Sequence, residues 1–98
     1  MTTNPFNELL CRELRKRAVW NKGMVIPNWD PAVWRWDAYG RVIKYDCYGD
    51  RSSNFGWEMD HHPIPQALGG ADNVLNLRPL NCFANASLGG MLGNALRG

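Results

Sequence analysis

The chain contains two histidines, and they are adjacent: His61 and His62 follow Asp60 and precede a loop rich in Pro and Gly. Asn76 and Asn85 come next, around a short apolar run and the segment after it. Taken together, these residues propose a site with one hard oxygen donor from Asp60, another from Asn85, and an imidazole alongside. Carboxylate and amide oxygens with room for water suit Mg²⁺ or Mn²⁺ better than zinc. A neutral imidazole, with an ordinary pKa of about 6.5, can take a proton near neutral pH.

The order of elements is more specific than any one of them. Asp60-His61-His62-Pro63-Ile64-Pro65, then Gly69-Gly70-Ala71-Asp72, then Asn76-Leu77-Arg78-Pro79-Leu80, then Asn85 and Gly89 resembles the HNH endonucleases. The likeness covers residues 57–90. It extends more weakly upstream through Asp37-x-x-Gly40-x-x-Ile43 and Tyr48-Gly49-x-x-Ser52. It implies an α+β chain with a small ββα-metal (His-Me finger) core: two antiparallel strands and a helix around one divalent ion per site, Mg²⁺ or Mn²⁺. It implies a DNA endonuclease that hydrolyses phosphodiester bonds by a one-metal, His-general-base mechanism, in a phage or mobile-element setting. Asp60 and Asn85 would be metal ligands, His61 the base, and Asn76 the residue that holds the loop and aims the histidine.

Two registers stay open. Counting from the strand, Met59 precedes Asp60-His61 as in the family, and His61 is the base. Counting back from Gly69-Gly70, Pro65 takes the family's proline position; His61 is then a metal ligand and His62 the base. Strands resist a one-residue slip because it swaps every side chain's face, which favours the first. The chain also departs from the family. Asn81 and Ala84 stand where many relatives carry a zinc-binding Cys pair, no Cys-x-x-Cys occurs, and no structural zinc is expected. Leu88 stands where a Lys is common, and Asn85 replaces a helix His. The alternative to an enzyme is a catalytically silent nucleic-acid-binding or assembly module on the same scaffold.

The elements that must position these residues can be read from pattern. Asn4-Pro5 is a helix start, with Asn as cap and Pro in the first turn. Phe6, Leu9, Leu10, Leu14 and Ala18 recur at helical spacing, and Asn21-Lys22-Gly23 ends the run. Residues 1–23 thus read as a basic amphipathic helix lying on the domain. Residues 24–38 read as irregular, with Pro27, Pro31, Trp29, Trp34 and Trp36. Asp37-Ala38-Tyr39-Gly40 is a turn signal. Strands are expected at 41–45, at 55–60 with Phe55, Trp57 and Met59 on one face, and at 76–80; a short helix is expected from Cys82 to Leu88.

With 98 residues there is room for one domain, here 1–23 plus a nuclease region at 24–98 with its core motif at 55–90. Hydrophobic residues at 45% and charged residues at 20% exclude a disordered chain. No apolar run reaches the ~18 residues of a membrane span, so no membrane partner is expected. The first residues lack a signal-peptide pattern, which points to the cytoplasm of a bacterial or virus-infected cell. The net charge is only +2, but Arg12, Arg15, Lys16, Arg17 and Lys22 face only Glu8 and Glu13 near the start. Arg15 and Lys16 on the helix, with Arg78 and Arg51 near the motif, are the candidate DNA contacts. No base-reading element is present, so specificity would be low or structural. A homodimer or a larger DNA-processing assembly is open.

Overall fold

The computed structural model describes residues 4–83; Cys82 and Phe83 begin a helical turn, and residues 84–88 of the helix expected from Cys82 to Leu88, Asn85 among them, lie outside the described residues. The described residues form a small α+β fold with one helix and two antiparallel sheets. Helix α1 spans Pro5–Trp20. The Asn4 side chain accepts the Phe6 N–H at 3.0 Å, and Pro5 occupies the first turn, where its missing donor costs nothing.

Strands β1 (Met24–Val25), β2 (Trp34–Trp36) and β3 (Val42–Lys44) make the first sheet in the order β1-β2-β3. Residues 24–38 are therefore not irregular throughout: Met24 pairs with Trp36 and Val25 with Arg35. These strands are too short to show an alternating pattern, and the prolines around them mask it. Strands β4 (Trp57–His61) and β5 (Leu77–Asn81) form the second sheet, with Trp57 opposite Asn81, Asp60 opposite Arg78 and His61 opposite Leu77. The expected strands at 55–60 and 76–80 are present, each displaced one or two residues toward the C-terminus.

The core is an aromatic cluster. Trp20 and Trp57 are fully buried with ring centroids 5.2 Å apart, and Val19, Ile43 and Leu77 close around them. Each indole N–H is satisfied: Trp20 donates to the Pro31 carbonyl at 2.9 Å and Trp57 to the Tyr45 carbonyl at 3.1 Å.

Helix α1 does not lie on the domain along its length. Val19 and Trp20 are its buried residues, while Phe6, Leu9, Leu10 and Leu14 are exposed. Sixteen helical residues reach about 24 Å, whereas a five-residue strand reaches about 17 Å. The helix docks on β5 and the 3₁₀ turn Val74–Asn76 by its last turns, and its first half overhangs. Lys22 fastens that end by donating to the carbonyls of Val74 and Leu77.

A buried carboxylate joins the two sheets. Asp37 is fully buried; its Oδ1 accepts the N–H groups of Tyr39 and Arg41, each at 2.9 Å, and its Oδ2 accepts the Asn81 N–H at 2.9 Å. Asn81 in turn donates to the Val42 and Asn54 carbonyls and accepts the Phe83 N–H. Replacing Asp37 by Ala should cost about 3 kcal/mol, because buried donors lose a charged acceptor. Chemical denaturation of the Asp37→Ala variant against the parent measures this.

Candidate functional site

The end of β4 sends its last two side chains to opposite faces, as strand alternation requires. Trp57, Met59 and His61 share one face; Glu58 and Asp60 share the other. On that second face Arg78 Nε meets Asp60 Oδ2 at 2.8 Å, with both side chains largely buried. Arg78 also donates to the Tyr39 hydroxyl at 3.4 Å. Burial pulls the Arg78 pKa down, but the Asp60 carboxylate and the Tyr39 hydroxyl outweigh it and hold the guanidinium above its ordinary value. Asp60 Oδ1 has no hydrogen-bond partner among the described residues.

His61 has a different partner. Its Nε2 lies 2.5 Å from Asp72 Oδ1, on the returning limb of the loop. An ionised carboxylate can only accept, so beside ionised Asp72 the hydrogen of a neutral imidazole belongs on Nε2, with the lone pair on Nδ1. The imidazole is mostly buried while Asp72 is exposed. The Asp72 carbonyl also accepts from Arg15 at 3.4 Å, which brings the basic helix to the same loop segment.

The loop from 62 to 76 is held by Asn76. This residue is 8% exposed; its Oδ1 accepts the Ile64 N–H at 3.1 Å, and its Nδ2 donates to the carbonyls of Ile64 at 2.9 Å and Ala71 at 3.2 Å. Its own carbonyl accepts the His62 N–H at 2.9 Å. One side chain therefore pins the outgoing and returning limbs together. Gly70 is required there: a Cβ would run into the Ile64 carbonyl oxygen and come within 2.8 Å of Asn76 Nδ2. Asn76 was expected both to hold the loop and to aim the histidine; its side chain bonds Ile64 and Ala71 and makes no bond to the His61 ring. The His61 ring contacts Asp72 instead.

The remaining expected residues are placed as follows. The His62 side chain is exposed. Arg51 pairs with Glu58 at 2.9 Å, and that hydrogen bond raises the Arg51 pKa. Lys16 pairs with Glu13 at 3.0 Å and stands over the rings of Tyr45 and Tyr48. Asn85 lies outside the described residues. The structure thus brings together Asp60 with Arg78, and His61 with Asp72 and Arg15; it does not gather the cations into one patch. Asp72 is the residue that sequence reasoning missed. Its signal was an acid just after Gly69-Gly70, on the limb that returns toward His61.

The donor types fit a hard divalent ion more than a tight transition-metal centre. Among the described residues no three of His, Cys, Asp and Glu converge. Mg²⁺ commonly takes one or two carboxylates and completes its shell with water and substrate phosphate, so Asp60 with one more oxygen donor is a sufficient protein set.

Comparison with known proteins finds no matching family model, no matching curated protein and no matching solved structure. No helix of the described residues is long and apolar enough to cross a membrane.

The Asn76 clamp has a direct readout. Asn76→Ala and Gly70→Ala should each speed hydrogen exchange at the Ile64 amide by tenfold or more, since about 1.4 kcal/mol of lost local stability is enough for that. Exchange at Ile43, in the core, should change much less; equal acceleration at both would mean that the clamp supports the whole fold and not the loop.

Proposed function

We propose that this chain is a metal-dependent endonuclease of the HNH type that hydrolyses DNA phosphodiester bonds with His61 as general base. The observation that carries the reading is the His61–Asp72 contact at 2.5 Å, at the residue that follows Asp60 on the end of β4 and on the other face of that strand. A carboxylate on Nε2 fixes tautomer and ring orientation, the task that an orienting group performs for catalytic histidines elsewhere. Nδ1 is then the nitrogen that takes a proton from water as its oxygen attacks phosphorus. The new P–O bond forms as the bond to the leaving 3′ oxygen breaks, and that oxygen takes a proton from solvent.

Asp60 and Asn85 are the residues that would hold the ion, and a bound divalent ion supplies charge relief at the phosphate and the leaving oxygen. Arg78 shares the Asp60 face of the hairpin, so a guanidinium stands next to the carboxylate that would hold the ion, where a phosphate on that ion would meet it. Asn76 acts by position: it holds the loop that carries Asp72. In the other register His61 would be a ligand and His62 the base, but the exposed His62 ring has no orienting partner among the described residues.

Supercoiled plasmid incubated with the protein and Mg²⁺ or Mn²⁺ should be nicked or linearised, and EDTA should abolish the reaction. His61→Ala should lower the rate by roughly 10²–10⁴-fold with the fold intact. Asp72→Asn should lower it less and shift the pH profile. Loss of activity on His62→Ala, together with metal release on His61→Ala, would establish the other register. If no divalent ion supports cleavage between mildly acid and mildly alkaline pH, the enzyme reading fails and the silent binding module replaces it.

A further inference from the structure

Resting on the nuclease reading for its ligand class, we infer that the groove between the middle of α1 and the Met59 face of β4 binds a single strand of DNA, with Tyr48 as the stacking surface for a base and Arg12 and Arg15 as phosphate contacts. The groove has a volume of about 410 Å³ and is lined by Leu9, Arg12, Arg15, Lys16, Tyr48 and Met59, with Glu13 at its wall. Leu9, Arg12 and Lys16 recur at helical spacing and so line one side of α1.

The lining matches the two parts of a nucleotide. Tyr48 is 43% exposed, and its ring is braced edge-on by Trp57 at a centroid distance of 4.7 Å. Lys16 Nζ stands 5.5 Å from the centre of that ring, so a base stacks on Tyr48 by taking the place of the ammonium, and Leu9 and Met59 add apolar contact. The charge is complementary to phosphate. Glu13, the lone carboxylate of the groove, is engaged by Lys16 at 3.0 Å and by the Tyr45 hydroxyl at 3.3 Å. Arg12 has no ion-pair or hydrogen-bond partner among the described residues, and Arg15 has the 3.4 Å contact to the Asp72 carbonyl. Duplex DNA keeps its bases stacked on each other and offers Tyr48 no free face, so the unpaired strand is the form that uses this lining.

The groove also leads to the histidine. Met59 and His61 share a face of β4 two residues apart, about 6.6 Å along the strand. Arg15, at the groove's edge, touches the residue that holds His61. A strand laid in the groove would run toward His61 along the face of β4 opposite Asp60 and Arg78.

The test is fluorescence anisotropy of a labelled oligothymidylate and of a duplex of equal length, in EDTA so that no turnover occurs. The single strand should bind more tightly than the duplex. Tyr48→Leu should weaken single-strand binding by roughly 5–150-fold, and Tyr48→Phe should preserve it. Arg12→Ala should reduce the slope of log affinity against log salt by about one. Equal or tighter binding of the duplex overturns the inference, as does unchanged binding in both Tyr48→Leu and Arg12→Ala proteins. If Tyr48→Leu fails to fold, judged by its unfolding temperature, the Arg12→Ala slope decides. Normal His61-dependent cleavage with unchanged binding in the groove variants would sink the groove alone. Tyr48-dependent binding without any metal-supported cleavage would sink the nuclease reading alone.

Discussion

The buried carboxylate of Asp37 is the constraint on which the arrangement depends. Neither sheet is large enough to hold its own position: the strands of the first are two or three residues long, and the second is a lone pair. A two-stranded pair is marginal in water without further packing. Asp37 ties the turn before β3 to the last residue of β5, and Asn81 extends the tie to the Val42 and Asn54 carbonyls. Burying a charge is costly, and three N–H donors on two carboxylate oxygens offset that cost. The link is directional, which apolar packing is not. It fixes where the hairpin stands, while the Trp20–Trp57 cluster supplies most of the burial.

Positioning then passes down the chain in steps. Asp37 holds Asn81 at one end of β5; Asn76 stands just before the other end and holds the loop; the loop carries Asp72, and Asp72 holds His61. Each step is a side-chain hydrogen bond to a group that regular secondary structure does not reach. A loop of this length with only one short 3₁₀ turn between its prolines and glycines would otherwise sample many conformations, and an exposed Asp72 could not stay on His61. The Asn76 side chain, buried and bonded to both limbs, removes that freedom with one residue.

Much of this was legible in the sequence, for local reasons. Asn4-Pro5 and Asn21-Lys22-Gly23 bound α1 because capping is set by adjacent residues. Trp57 and Met59 mark β4 because alternation survives over five residues. The turn at Asp37-Ala38-Tyr39-Gly40 was legible too, with Gly40 at positive φ, but nothing local shows that the same carboxylate reaches Asn81 across 44 positions. Strands of two or three residues carry no periodicity, so β1 and β2 were hidden. The apolar spacing of Phe6, Leu10 and Leu14 is genuinely helical, yet it does not report burial; that depends on the length of what α1 docks against. Asp72 escaped for the same reason as Asn81's role: its partner is distant in sequence, and only the closed loop joins them.

The ion pairs add a consequence for how such a site would load. Arg51 and Glu58 form a pair in which Arg51 is well exposed; water screens such pairs, so a phosphate can take Arg51 at little cost. Arg78 and Asp60 are far less exposed, and separating them leaves two charges in need of partners. In the proposed reading both partners arrive together, a cation for Asp60 and a phosphate for Arg78. Either one alone strands the other half of the pair. Cation and polynucleotide binding at this hairpin are then thermodynamically linked, each raising affinity for the other by the same factor. A chain with few acidic ligands can in this way hold its ion weakly at rest and firmly when substrate is present, because the phosphate supplies both a ligand for the metal and a partner for the displaced guanidinium.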